Sequence, residues 1–597
     1  DDRSVRIAIA AGDEQFGLRG GLVEEPLQVI VTDPANSEPV EDIEVTWRVT
    51  SGSGIVVPVT STTDALGVAE TGVRLGDQLE TVTVEATVAG LIGEAATFVI
   101  HVVDAPVIEA ITPMSVQGGG SVTITGTGFP TDHTDATVLF DGLRGQITSG
   151  APGLLVVTVP RCVLTRTAQV RVQLGGVASE PVAIQTTAVA SAGIRLETGT
   201  ALRLNSVEDL ACLRFDASPA GSAYLIVPQN ASDVPGVDVL WELNGHAGAG
   251  QPITASTATR ESHVAADWEL ALRARERALV SGGPAPFDAH GDLIAARVAA
   301  PEIGDRRDFN VLTRTDETER ITAEVRAISE RAILYVDLQA PAQGFSQQDL
   351  LRFGGLFDDP IYATDVAVFG TPSDVDGNGK IIILFTPTVN ALTESGESSF
   401  IAGYFFGCDL VTAARCAETN RAEIFYSMVP DPEGSFGDAR SNELVLSTVP
   451  GILAHEFQHM IHFGQKGNLD VLWLSEGLAH AAEDIVGRVF LARGDSDTAL
   501  EFMRPNHLRA NRYLGATGST SLVGADSPGT LELRGGAWLL VDYLAAHYGG
   551  DALLGRLTRT DRSGVANVTA ETGQSWDRLL GDFALALWAD GAPELQN

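Results

Sequence analysis

Over the first 187 residues, apolar positions recur every second residue in short runs, broken about every ten residues by turn-forming Gly, Pro, Asp or Asn. A chain patterned this way can pair its runs edge to edge, but it offers no single stripe for a helix to bury. Leu27–Thr32, Ile43–Val49 and Val82–Val88 are runs of this kind, with Trp47 the expected core anchor among them. The pattern repeats after residue 105, where Gly118-Gly119-Gly120 and Gly126-Thr127-Gly128 supply corners that a side chain would strain. Two all-β sandwiches are therefore expected, over residues 1–104 and 105–187.

The first segment resembles a bacterial Ig-like domain of the invasin type, through "PLQVIVTD", "PVEDIEVTWRVTSGSG" and "TTDALGVAETGVRLG". The second, with "VIEAITPMSVQGGGSVTITGTGFP", "LLVVTVP" and "AQVRVQLGGVAS", resembles the IPT/TIG immunoglobulin-like domain. Both resemblances imply modules for spacing or attachment. Neither segment gathers residues that could carry chemistry.

A chain of 597 residues exceeds what one hydrophobic core serves, and the pattern does change. Residues 188–305 read as a small β domain with a helical linker: strand-like Gly193–Glu197 and Ala223–Val227, a helix from about His263 to Val280, then a Pro/Gly connector at 282–287. Beyond it, over 306–597, strands are expected at Arg331–Val336, Asp365–Phe369 and Lys380–Phe385. Helices are expected at Val449–Phe463, Trp473–Phe490 and Gly535–His547. Strands first and helices later describe an α+β domain.

That domain contains His455-Glu456-Phe457-Gln458-His459. Thr448 is the expected cap of the helix, Pro450 its first turn and Gly464 its end. On such a helix His455 and His459 lie one turn apart on one face, so both imidazoles can reach a single cation. Glu456 falls on the adjacent face, where it can act on a water without binding the metal. A metzincin pattern is excluded, because His462 and Gln465 stand where its glycine and last histidine belong. The third ligand is sought in Leu472–Asp484, where Glu476, His480 and Glu483 share a helical face. Glu476 is the choice, since it starts that helix after a turn; Glu483 and His480 are the alternatives, or the groups that orient a ligand imidazole. Two histidines and a glutamate leave a fourth position open, as a catalytic zinc requires.

"LWLSEGLA" is similar to the segment that supplies the glutamate ligand in gluzincin peptidases. Residues from about 305 onward resemble hyicolysin-type (M30-like) bacterial metallopeptidases, through "SDVDGNGKIIILFTPTVN", "NRAEIFYSMVPDP", "AHEFQHMIHF" and "WLSEGLAHAAED". The resemblance implies a zincin-like (gluzincin) domain, zinc on His455, His459 and Glu476, and hydrolysis of protein or peptide with Glu456 as general base. Where aminopeptidase relatives place an oxyanion-stabilising Tyr, this chain has Leu533 and Arg534; Arg534, Tyr513 and Tyr426 are the candidates. Small peptides are expected to need only residues after about 300.

Asp374, Asp376 and Asn378 begin like a calcium loop, but the twelfth position is Phe385 rather than a bidentate glutamate. Calcium binding and a plain strand-launching turn both remain open. Asp526-Ser527-Pro528 has no context for a serine nucleophile. A net charge of −39, with lysine only at 380 and 466, argues against nucleic acid or anionic membranes as partners. No apolar run approaches the roughly 20 residues of a membrane helix. Four cysteines suit two bridges, one of them local between Cys408 and Cys416, with four buried or free thiols the alternative; bridges would favour a secreted or cell-surface home. The chain opens on Asp1-Asp2 without a basic and apolar leader, so any signal peptide is expected to have been removed already or to lie outside this sequence. A monomeric secreted endopeptidase is the leading expectation. A surface adhesin carrying an inactive peptidase-like domain is the competing one.

Overall fold

The computed structural model describes residues 5–189 apart from 34–38, 65, 92–94 and 131, together with scattered positions between 194 and 237. It also describes residues 264–280, and 301–589 apart from 397–398, 467–469 and 524–529. The connector at 282–287, part of Gly193–Glu197, and Asp526–Pro528 lie outside the described residues. Tyr224–Val227, expected in a strand, is in none. The chain divides into two compact units, one essentially residues 1–224 and the other the remainder.

The first unit is all β and holds two separate cores. In the first sandwich a four-stranded and a five-stranded sheet face each other, and inward positions alternate strictly along Leu27–Thr32 and Thr81–Val88. Trp47 is buried, tilts against Phe98, and donates its indole N–H to Ser61 Oγ at 2.8 Å. Burying so large a ring is affordable because its polar edge keeps a partner. In the second sandwich the strand Leu143–Ala151 joins both sheets, pairing with Ala136–Phe140 at its start and Leu154–Thr158 beyond. Val138, Phe140, Leu155 and Val170 fill the space between. Cys162 and Cys212 are bridged.

The first helix described in the second unit is α1 (Val264–Val280), and a six-stranded sheet follows it. Its strands are β1 (Arg306–Leu312), β2 (Thr318–Ile328), β3 (Ala332–Asp337), β4 (Ile381–Phe385), β5 (Gly403–Phe405) and β6 (Ile424–Ser427), in the order β1-β2-β3-β4-β6-β5. β3, β4 and β6 run parallel, while β1, β2 and β5 are antiparallel to their neighbours. Every residue of β4 is buried, as a central parallel strand covered on both faces must be. The second bridge joins Cys408 to Cys416, just after β5.

Four long helices follow the sheet: α2 (Asn442–Lys466), α3 (Leu472–Ala492), α4 (Ser496–Gly515) and α5 (Leu531–Tyr548). α2 starts earlier than its Pro450 suggests. Ser441, not Thr448, is the cap, its Oγ accepting the Leu444 N–H at 3.1 Å. Pro450 then lies inside the helix and leaves the Leu446 carbonyl without its usual donor. Arg352 Nη1 supplies that donor at 3.2 Å. Gly464 likewise falls within the helix rather than at its end. α3 is buried on nearly all sides, and glycine makes this possible. A Cβ on Gly477 would stand 2.9 Å from the Ala537 carbonyl oxygen of α5.

Asp365–Phe369 is helical, part of Ala363–Phe369, and not a strand. Its valines favour extension, but Ile361, Asp365 and Phe369 are buried four apart, and that period wins. Asp365 is fully buried, and neither carboxyl oxygen has a hydrogen-bond partner among the described residues. Burial drives its acid well above the usual carboxylate range. The folded state therefore keeps a proton that the unfolded chain releases above about pH 4, so stability falls as pH rises from there through the folded-state value. Asp365→Asn removes this penalty. The variant should unfold at a higher temperature than wild type at pH 8, by about 1–3 kcal/mol in stability, and the gain should vanish near pH 4. A thermal-melt series in which the gain is absent at pH 8 would rule the explanation out.

Candidate metal centre

α2 turns His455 and His459 inward from successive turns, and α3 presents Glu476 to them from the start of its second turn. The two Nε2 atoms lie 3.2 Å apart. Glu476 Oε1 is 3.2 Å from His459 Nε2, and its Oε2 is 3.6 Å from His455 Nε2. All three side chains are buried, and neither Glu476 oxygen has a satisfactory hydrogen-bond donor among the described residues. Two ring nitrogens this close repel unless a proton or a cation sits between them. The three residues thus place their ligand atoms within 4.8 Å of one another.

The outer nitrogens are held from behind. His455 Nδ1 is 2.7 Å from Glu483 Oε1, and His459 Nδ1 is 3.3 Å from Ser475 Oγ. A carboxylate at Nδ1 puts the proton there and leaves Nε2 with a free lone pair. Glu483 Oε1 also takes His480 Nδ1 at 2.8 Å, while Arg509 Nη1 stands 3.7 Å from Oε2. His455, His480 and Glu483 form a second group within ligand distance. Its carboxylate, however, is already hydrogen-bonded to two imidazole Nδ1 atoms, whereas neither Glu476 oxygen has a hydrogen-bond partner of good geometry among the described residues. Close packing steadies this layer, since a Cβ on Gly535 would fall 2.1 Å from the Arg509 carbonyl oxygen.

Glu456 lies beside the three, outside their ring. Its Oε2 accepts the Phe405 N–H from β5 at 2.8 Å and is 3.7 Å from Arg273 Nη2. Arg273 belongs to α1 and is buried with Glu276, which accepts from it at 2.8 Å and from the Gly407 N–H at 2.7 Å. No sequence signal ties Arg273 to the site, because Glu456 lies more than a hundred residues away and its nearby partner Glu276 is an ordinary i,i+3 pair. A fragment beginning at residue 300 would lack it, so the expectation that small peptides need only residues after about 300 does not suit this geometry.

Electrostatics divides the site. Burial raises the Glu456 carboxyl above its ordinary range, and His455 and Arg273 draw it partly back. Burial, then Arg273, holds the His459 imidazole well below its usual value, which keeps it neutral. Burial also opposes charge on His455, but Glu476 and Glu483 carry its value up to about 10. Against the same burial, the two imidazoles keep the Glu476 carboxyl well below the usual range. One proton can thus serve the gap that a divalent cation would fill.

The three candidate oxyanion donors separate. Arg534 Nη1 is 3.7 Å from Glu476 Oε2, at the site. Tyr426 is engaged elsewhere: it is buried and stacked on Tyr404, and its hydroxyl donates to Asp409 Oδ2 at 2.6 Å. Tyr513 packs its ring on Gly536 of α5 and has no hydrogen bond or ion pair to the histidines or Glu476 among the described residues. In the loop before β4 the Asn378 amide oxygen accepts the Lys380 N–H at 2.6 Å and its nitrogen donates to Asp376, so its side chain is already engaged beside Asp374 and Asp376. The acid that joins them is Glu423.

Residues 106–188 match the IPT/TIG domain family model. A stretch of 191 residues is 32% identical to the neutral metalloprotease ShpI of Staphylococcus hyicus, covering 30% of this chain and 40% of that protein. The chain thus spans less than half the length of this relative. Among solved structures, invasin, a bacterial integrin-binding protein, aligns with 31% of this chain and 40% of its own at 23% identity and a TM-score of 0.14. A C-terminal fragment of intimin aligns with 30% and 64% at 16% identity and a TM-score of 0.19.

Arg273 and Glu276 are charges removed from water together, and taking away one strands the other. Arg273→Gln should therefore cost about 3–5 kcal/mol and expose α1 to limited proteolysis, and Arg273→Gln with Glu276→Gln should recover most of the loss. Equal protease resistance in wild type and the single variant would show that the pair does not hold α1 in place.

Proposed function

We propose that the second unit is a zinc-dependent endopeptidase with a zincin-like (gluzincin) fold of the hyicolysin type, the metal held by His455, His459 and Glu476. The observation that carries this reading is the convergence of two buried imidazole Nε2 atoms and one buried carboxylate that faces them both. Partial identity with a metalloprotease supports it. The donor set suits zinc, two nitrogens and an oxygen with a fourth position open. Bound there, zinc would polarise the scissile carbonyl and acidify an attacking water.

The chain's own residues supply the rest. Glu456, raised by burial, takes the water proton and returns it to the leaving amine. The Phe405 N–H fixes which oxygen of Glu456 stays turned toward β5. Glu483 and Ser475 hold the two imidazoles in orientation, and Arg534 is the proposed donor to the oxyanion. The two sandwiches of the first unit, with boundaries at 1–104 and 105–187, serve spacing or attachment, the part of 188–305 before α1 links them to the enzyme, and 306–597 bear the chemistry with Arg273 of α1 beside Glu456. Two disulfides, and no helix among the described residues long and apolar enough to cross a membrane, support a secreted or surface location. A surface adhesin with an inactive domain is the weaker reading, because decay of an enzyme leaves gaps in the ligand set and here the set is complete.

Two substitutions test this together. Glu456→Gln should keep one zinc per chain and lower casein or peptide hydrolysis at least 10²-fold, since the base is lost and the shape kept. His459→Ala should lose most of the zinc by elemental analysis. Full zinc in His459→Ala, or more than about a tenth of wild-type turnover in Glu456→Gln, contradicts the assignment.

A further inference from the structure

The loop from Asp374 to Lys380 has the acids of a cation loop without its closing glutamate, since Phe385 occupies the twelfth position. The fold supplies that carboxylate from a distant point in the chain. Glu423, immediately before β6, brings an oxygen within 4.8 Å of oxygens from both Asp374 and Asp376. It is 1% exposed. Its Oε1 accepts Ser373 Oγ at 2.7 Å and the Val375 N–H at 2.8 Å, which aims the group into the loop. Its Oε2 is buried and has no hydrogen-bond partner among the described residues.

The loop is already shaped to receive an ion. Gly379 N–H donates to Asp374 Oδ1 at 3.0 Å and Asn378 N–H to Asp376 Oδ1 at 3.1 Å. Gly377 and Gly379 take positive φ, letting the backbone fold around the acids. Two cations lie nearby, and both have other partners. Lys380 Nζ is given to the carbonyls of Ser329 and Glu330, each at 2.6 Å. Arg307 draws Asp376 downward electrostatically, but its Nη2 donates to the Asn420 carbonyl at 2.6 Å.

We propose that Asp374, Asp376 and Glu423 bind one calcium ion, separate from the His455–His459–Glu476 centre and independent of its assignment. Three carboxylates with no nitrogen or sulfur donor form a hard oxygen set, and calcium tolerates the irregular geometry of a loop completed by water and backbone. The ion would tie the entrance of β4 to that of β6. Those entrances are already joined where the Ile382 N–H donates to the Glu423 carbonyl at 2.7 Å. A buried carboxylate oxygen without a donor, as Glu423 Oε2 is among the described residues, costs stability until a cation pairs with it.

The test is equilibrium dialysis of the full-length chain, zinc-loaded and freed of calcium, against radioactive Ca²⁺ up to about 1 mM, the range of extracellular calcium modules. Wild type should bind one Ca²⁺ per chain, and its melting temperature should rise with Ca²⁺ concentration. Glu423→Gln and Asp376→Asn should each weaken binding at least tenfold and remove the Ca²⁺-dependent melting shift, with zinc content unchanged. The partly exposed Asp376→Asn keeps the test decisive if Glu423→Gln misfolds. No Ca²⁺ bound by wild type at 1 mM, or equal affinity in a folded variant, overturns the proposal.

Discussion

A carboxylate held between two imidazoles, out of reach of water, sets the terms for the second unit. Burying Glu476 unpaired would cost several kcal/mol, and burying His455 and His459 with their ring nitrogens 3.2 Å apart adds repulsion. The surrounding structure reads as a response to that problem. α2 must carry both histidines inward on one face, and α3 must cross it where Glu476 can meet them. Gly477 follows at once because α5 presses against that crossing. Glu483 and Ser475 engage the far sides of the rings, so each imidazole has one orientation available.

The same demand reaches α1. Glu456 is buried next to the three groups and is steadied by a backbone N–H from β5 and by Arg273. Arg273 needs Glu276, and Glu276 needs the Gly407 N–H. A chain of charge compensation thus runs from the site, through a helix that precedes the sheet, to the segment after β5. The sheet positions this chain at both ends, and its central strand β4 (Ile381–Phe385) is entirely apolar.

Much of this was legible in the sequence because it depends on short periods. Two histidines four apart, a glutamate opening the next helix and a five-residue apolar strand are local facts, and so is the alternation that marks the two sandwiches. What escaped depends on distance. Arg273 and Glu423 matter through partners 183 and 47 to 49 residues away. Pro450 pointed to a helix start, yet a donor from Arg352 let the helix begin two turns earlier. Asp365–Phe369 is short enough for strand and helix periods to coincide, and only packing decided between them. Tyr426 looked available as a donor until Asp409 was found to hold its proton.

The most direct measurement is an anomalous difference map from crystals of the zinc-loaded chain, recorded on both sides of the zinc absorption edge. The account predicts one strong peak about 2.0–2.2 Å from His455 Nε2, His459 Nε2 and a Glu476 oxygen, with Glu483 outside the coordination shell. A peak bonded by Glu483 or His480 in place of Glu476, or no zinc peak between α2 and α3, would contradict it.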